Sequence, residues 1–235
     1  MGEGGGLCAR RAPLSRRPWR RRRAPYARGV SWEPLHLDAH LVAVDKPAGL
    51  LAVPGRTEPD CMAARVIARW PDALVVHRLD MATSGLLVLA RGAAAQRALG
   101  DAFAERRVHK RYVAVVHGLP RDDAGEIDLP LAADWPNRPR QQVDRVQGRP
   151  SLTRWRVLAR DARSHTARLA LEPVTGRSHQ LRVHLQAIGH PIVGDRLYGP
   201  AADAQAPRLL LHAEALTLPH PHDGTPLALH CPVPF

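Results

Sequence analysis

Asp80 is the acidic side chain placed best to do chemistry. It stands in His77-Arg78-Leu79-Asp80-Met81-Ala82-Thr83-Ser84-Gly85, with no other acid between Asp72 and Asp101. A carboxylate flanked by Leu79 and Met81 is either a turn residue or a group held partly out of water, where it can act as nucleophile or base. A second reactive set is Thr175-Gly176-Arg177-Ser178-His179-Gln180-Leu181-Arg182-Val183-His184. Its Arg177 and Arg182 either offer guanidinium forks to a phosphate or carboxylate, or line a solvated basic face. His179 and His184 miss the i, i+4 register that brings two ligands onto one helical face, so no metal site is expected. A third set, Lys110-Arg111-Tyr112-Val113, puts an aromatic ring behind two cations. Such a ring either stacks on an extruded base while the cations hold phosphate, or packs in a core. Gly-x-Ser-x-Gly and Gly-x-x-x-x-Gly-Lys-Ser/Thr are both absent, which removes a hydrolase elbow and a phosphate-binding P-loop from consideration.

These sets need a frame, and the apolar pattern supplies one. Leu41 to Asp45 reads as a strand ended by the turn signal Lys46-Pro47-Ala48-Gly49. Met62, Val66 and Trp70 mark one face of a helix over Asp60 to Trp70. Val75 to His77 and Leu86 to Ala90 read as strands, so Arg78 to Gly85, with Asp80, forms the loop between them. Ala93 to Arg106 is a second helix and Arg111 to His117 a strand. Trp155 to Ala159, Ala167 to Leu171, Leu209 to Leu218 and Leu227 to His230 read as further strands. Ser178 suits the N-cap of a helix through Ile188 whose buried stripe is Leu181, Leu185 and Ile188. Strands outnumber helices without strict βαβ alternation, giving an α+β fold with a largely antiparallel sheet.

The chain has 34 Lys and Arg against 22 Asp and Glu, a net charge of +12, which favours a polyanionic partner. Residues 1–30 hold nine arginines and one glutamate, or +8 of that total, leaving +4 for the rest. With Gly4 to Gly6, three prolines and no apolar periodicity, residues 1–30 read as a disordered Arg-rich tail, and 31–235 as the folded domain. The tail either holds RNA non-specifically or is a solvated extension. The longest stretches free of charged residues are twelve residues, too short for the roughly 18 to 20 of a membrane-spanning helix. No secretory signal follows the Arg runs. Cys8, Cys61 and Cys231 contain no Cys-x-x-Cys pair, which argues against a disulfide framework or zinc site and fits a reducing cytoplasm.

Taken together, the three sets resemble the RluA family of pseudouridine synthases. His77-Arg78-Leu79-Asp80 with Thr83-Ser84-Gly85 is similar to the family's catalytic loop, and Asp45-Lys46-Pro47-Ala48-Gly49-Leu50 resembles its first motif. Lys110 to Ala114 and Gly176 to His184 resemble the later motifs, in the same order. The resemblance runs from about Leu35 to the C-terminus. Leu129 to Arg140 and Pro207 to Glu214 most resemble the member that modifies both large-subunit (23S) ribosomal RNA and transfer RNA. The chain lacks the S4-like domain found in some relatives, and its Arg-rich tail has no counterpart in the pattern.

The resemblance implies a pseudouridine synthase fold, with a mixed central sheet flanked by helices and loops. It also implies isomerisation of uridine to pseudouridine in ribosomal RNA and transfer RNA stem-loops, by a monomer that uses neither cofactor nor metal. In this reading Asp80 is the essential carboxylate, as nucleophile or as base. Arg182 pairs with it, and Tyr112 stacks on the target base. Arg78 fills the gap left by the flipped uridine. Arg177, His179, Lys46, Lys110 and Arg111 complete the RNA contacts. Flipping is cheapest in a loop, so an unpaired uridine is the expected target. Two other classes compete. An Asp-dependent glycosidase usually needs a second carboxylate, which only a distant residue such as Glu172 or Asp195 would supply. A non-catalytic RNA-binding protein explains the charge but not a lone acid among Arg-rich motifs.

Overall fold

Runs of Leu, Val and Ala dictate the central strands, and short Ala-rich segments with apolar residues four apart become the helices. The computed structural model describes residues 32–235; the segment read as a disordered tail, 1–30, lies outside the described residues. In chain order the elements are β1 (His36–Leu37), β2 (Leu41–Lys46), α1 (Met62–Arg69), β3 (Ala73–Val75), β4 (Ser84–Arg91), α2 (Ala93–Ala104) and β5 (His109–His117). They continue with β6 (Ala124–Asp128), β7 (Leu131–Ala133), β8 (Gln141–Val143), β9 (Leu152–Asp161) and β10 (Thr166–Pro173). The last are α3 (Gln180–Ala187), a 3-10 turn at Ala201–Gln205, β11 (Leu211–Pro219) and β12 (Pro226–His230).

The main sheet runs β1-β2-β4-β11-β5-β10-β9-β6, with β3 also on β4 and β12 also on β11, while β7 and β8 form a separate pair. Its pairings are antiparallel except β4 with β11. This is an α+β architecture with a mixed, mainly antiparallel sheet. β4 is buried from Ser84 to Ala90, as expected of a central strand covered on both faces. Gly85 makes its contact with β11 possible. At φ +107° an added Cβ would lie 2.3 Å from the Ala213 carbonyl oxygen, so no other residue fits.

The sheet carries two apolar cores. One gathers β2, β4, α1 and α2 around Leu41, Val66, Leu87, Leu89 and Leu99. The other gathers β5, β10 and α3 around Val116, Leu169, Leu171, Leu185 and Ile192. Tyr112 packs against both and so marks their seam.

The structure departs from the sequence reading in three ways. The strand read over Val75 to His77 lies at Ala73–Val75 and β4 already begins at Ser84, so the loop carrying Asp80 spans residues 76–83. Ser178 is not the N-cap of α3. His179 takes that place with a left-handed backbone (φ 55°) and no side-chain capping bond. The Gln180 side chain instead closes the turn that leads into the helix, accepting the Arg177 amide at 3.0 Å. Strands β1, β6, β7 and β8, two to five residues each, carry too little apolar pattern to stand out.

Candidate active site

The Asp80 loop is held by its backbone. The Thr83 amide donates to the Asp80 carbonyl at 3.1 Å, closing a turn, and Leu79 is buried beneath it. The Met81 carbonyl accepts the Gly49 amide at 2.9 Å and the Lys46 ammonium at 3.1 Å. Lys46 is 0% exposed, and its other two hydrogens go to the carbonyls of Pro47 and Leu50, each at 2.8 Å. Burial lowers its pKa to about 8, against the opposing charges of Asp80 and Asp45. Its expected place among the RNA contacts is therefore corrected. Its ammonium is consumed in tying the Lys46-to-Leu50 turn to the Asp80 loop, out of reach of any ligand.

Arg182 reaches Asp80 from α3. Its Nη1 stands 3.6 Å from Oδ2, close enough for attraction between charges but too long for a hydrogen bond. The rest of the guanidinium is committed elsewhere. Nε and Nη2 each donate at 2.7 Å to the two oxygens of Asp195, a carboxylate only 1% exposed. Burial alone would lower the Arg182 pKa, but hydrogen bonds and charge from Asp195, with Asp80 and Tyr198 behind them, raise it. The arginine is thus a fixed positive charge. The Asp80 carboxylate, 28% exposed, receives no hydrogen bond from any described residue, so its lone pairs stay free for an incoming substrate.

Asp195 and Tyr198 are the site residues that sequence reasoning did not place. Asp195 also accepts the amides of Leu197 and Tyr198, at 3.0 and 3.1 Å. The Tyr198 hydroxyl accepts the Gln141 amide and shares a 2.7 Å hydrogen bond with His179 Nδ1. That bond aims His179 Nε2 at Asp80, 3.9 Å away. The Arg182 and Arg140 guanidiniums lie 5.0 and 5.2 Å from the Tyr198 ring centre. Asp195 sits in an irregular stretch with no motif of its own. The one available signal was its acid character, and that pointed to a second catalytic carboxylate. Two 2.7 Å bonds to Arg182 and full burial make it a counter-charge instead.

Asp80 borders two clefts. One, of about 550 Å³, also holds Tyr112, His77, Lys110, Arg177 and His179. The other, about 820 Å³, is walled by Leu51, Met81, Leu197 and Leu209 with Arg138 and Arg208. Arg78 and Arg182 line both. Burial, with the Asp80 charge adding to it, raises the Tyr112 phenol pKa well above its ordinary value, so it keeps its proton. Arg78 is exposed and touches Ser178 Oγ at 3.4 Å; Arg177 is exposed and reaches the Pro150 carbonyl at 3.4 Å. Lys110 lies 3.5 Å from the Thr175 carbonyl. Arg111 does not join them. It alternates with Lys110 and Tyr112 along β5, lies outside this cleft, and is paired with Glu214 at 2.7 Å while its side chain stays 48% exposed.

The arrangement is a lone free carboxylate beside a fixed guanidinium and a protonated phenol, in a cleft edged by cations. It suits attack on, or proton removal from, a sugar ring attached to an anionic polymer. Comparison with known proteins agrees. The profile of the RNA pseudouridylate synthase family matches residues 40–187. The Dual-specificity RNA pseudouridine synthase RluA of Escherichia coli strain K12 is 52% identical over 204 residues, covering 86% of this chain and 93% of that one. The protein of the same name from Yersinia pestis is 50% identical over 86% of this chain and 98% of its own. Among solved structures, human RNA Pseudouridylate Synthase Domain Containing 1 superposes with a TM-score of 0.74 at 29% identity, over 89% of this chain and 87% of that one. The chain belongs to the RNA pseudouridylate synthase family and is an isomerase that converts uridine in RNA to pseudouridine.

Proposed function

We propose that this synthase acts on both large-subunit (23S) ribosomal RNA and transfer RNA, on uridines presented in stem-loops. The supporting observation is about 50% identity over 86% of the chain to relatives named as dual-specificity enzymes. In this reading residues 31–235 are the catalytic domain and the enzyme works as a monomer in the cytoplasm, with residues 1–30 adding at most non-specific RNA affinity.

Asp80 attacks the nucleoside or removes a sugar proton as the C1′–N1 bond breaks. The freed uracil then turns within the cleft and C5 bonds to C1′ as the bond to Asp80 breaks or Asp80 returns the sugar proton, after which the C5 proton is lost while N1 gains one. The rearrangement is internal and redox-neutral, so side chains suffice for it. Arg182, held by Asp195, supplies fixed positive charge beside Asp80 at no cost in reorganisation during the reaction. Tyr112 stacks on the uracil. Because its phenol stays protonated, it takes the C5 proton only by passing its own on in the same step. Arg78 occupies the space vacated by the flipped base, while Arg177, His179 and Lys110 hold the surrounding RNA.

Purified enzyme given uridine-containing anticodon stem-loop and 23S hairpin transcripts should form pseudouridine in both without additives. A product in only one would reduce the specificity to that RNA. Asp80→Asn should lower turnover at least about a thousandfold while RNA affinity stays within about threefold. Turnover near wild type would remove Asp80 from the chemistry.

A further inference from the structure

The cleft holding Asp80 and Tyr112 is the middle of three. Arg78, Leu79, Asp80, His179 and Arg182 form its common wall with the 820 Å³ cleft. On the far side, Arg106, Val108, Lys110, Pro173 and Val174 form its common wall with a third cleft, of about 580 Å³. We propose that this series carries the RNA strand through the site: nucleotides on one side of the flipped uridine leave past Arg78, and those on the other leave unpaired past Arg106, whose guanidinium binds a backbone phosphate. The proposal rests on the RNA reading above and adds to it a strand path and a contact residue outside the family motifs.

Three observations carry it. A flipped residue stays joined to both neighbours, so the strand on each side of it must run along surface next to the chamber, and a cleft adjoins the chamber on both sides. The one past Arg106 is charged for the purpose. Asp80 is the one carboxylate among the described residues lining the middle cleft, and Arg106 and Lys110 stand in the wall it shares with the third cleft, which Arg78 does not line. The Arg106 guanidinium has no acid or carbonyl partner among the described residues. Burial depresses the neighbouring Lys110 pKa and the Arg106 charge depresses it further, a repulsion that a bound phosphate would relieve. Farther along the third cleft, Arg111 and Arg154 are already held by Glu214 and Glu126, and the exposed Glu172 also lines it; among the described residues this leaves Arg106 and Lys110 as the threshold cations without an acid partner, and Arg106 alone without a carbonyl partner as well.

The third observation is conformational. Helix α2 ends with the Arg107 amide donating to the Ala102 carbonyl at 2.9 Å, which places Arg106 in the left-handed region at φ 60°. Glycine usually takes that position. An arginine there is a local strain of the kind that collects at functional sites. Beside it, Val108, Pro173 and Val174 give the wall an apolar surface for bases without partners.

The test uses a hairpin RNA with the target uridine in its loop and a set of copies, each carrying one neutral methylphosphonate linkage at successive positions on either side. Arg106→Asn removes the charge yet tolerates the left-handed backbone; Arg106→Lys keeps the charge. Arg106→Asn should raise KM about five- to tenfold with the effect absent from kcat, and reduce the salt slope of binding by about 0.7. One neutral linkage should raise the wild-type KM similarly and leave Arg106→Asn unaffected, and Arg106→Lys should recover most of the loss. An Arg106→Asn penalty that is the same with every linkage, or that falls on kcat, overturns the proposal. If Arg106→Asn folds poorly, Arg106→Lys and the neutral linkages in wild type decide the same point. Loss of wild-type activity on every RNA would instead count against the proposed substrates.

Discussion

The two halves of the sheet deliver their parts of the site by different means. Asp80 rides on the apolar half, where β2, β4, α1 and α2 pack Leu, Val and Ala and one buried ammonium, Lys46, clamps the loop. Arg182 rides on the other half, whose interior beside α3 is a chain of polar contacts. Thr175 Oγ1 donates to Gln180 Oε1 at 2.7 Å, and Gln180 Nε2 donates to Thr153 Oγ1 and the Leu152 carbonyl, each at 3.0 Å. His184 bridges Thr153 Oγ1 and the Leu129 carbonyl, both at 2.9 Å, and Asp195 completes the set by holding Arg182. Among the described residues no buried side-chain polar atom lacks a partner. Apolar packing degrades gradually when trimmed, whereas a buried polar network loses a whole charge or hydrogen bond at once. The half that must place a cation accurately therefore has the less forgiving interior.

The sharpest way to break this contrast is to damage each half to a similar degree. Asp195→Ala leaves Arg182 buried without its counter-charge and should cost about 3 to 5 kcal/mol in urea unfolding. Turnover per folded molecule should fall at least about a hundredfold, because the guanidinium loses its fixed position. Leu99→Ala, in the apolar half, should cost about 2 to 5 kcal/mol but leave turnover per folded molecule within about twofold. Equal turnover in the two variants would abolish the distinction.

A smaller effect is expected where the apolar half carries its own charge. Lys46→Met strands the carbonyls of Pro47, Leu50 and Met81, which should cost about 2 kcal/mol and lower kcat about tenfold as the Asp80 loop loosens. A fall in stability with kcat preserved would show that the Gly49 amide alone holds the loop.

The smallest effect is one of pH. His77 Nε2 accepts the Val88 amide at 2.9 Å, and burial, with the Lys110 charge behind it, lowers its pKa from 6.5 to about 4. Between these values the unfolded chain binds a proton that the folded chain refuses, so stability falls as pH drops. The His77 share should be about 1 kcal/mol between pH of about 7 and about 5.5. Urea midpoints of His77→Gln, which retains an acceptor but does not titrate, should lack that share; a matching decline in both proteins would assign it to other histidines.

Legibility in the sequence follows the same division. β2, β4, β5, β10 and β11 were readable because their apolar runs exceed what a loop would carry, and Asp80 was readable as the lone acid of its segment. The polar half was not. Hydrogen bonds among Thr153, Thr175, Gln180 and His184 leave no periodic trace, and Asp195 is an ordinary loop aspartate until the chain folds it against Arg182. Lys46 misled because a lysine in a turn is normally solvated, and its burial depends on carbonyls up to 35 residues away. That Arg111 stands outside the Asp80 cleft was readable, since strand alternation already sets it opposite Lys110 and Tyr112.

The place of β11 between β4 and β5 bears on how the enzyme is made. The strand joining the Asp80 half to the Tyr112 half is Leu211–Pro219, which follows both β4 and β5 in the chain with five strands and a helix in between. A nascent chain can assemble local hairpins early, but it cannot bring aspartate and tyrosine together until this late segment emerges from the ribosome and inserts. Premature termination ahead of β11 would release an inert polypeptide, so an abortive translation product could not modify RNA.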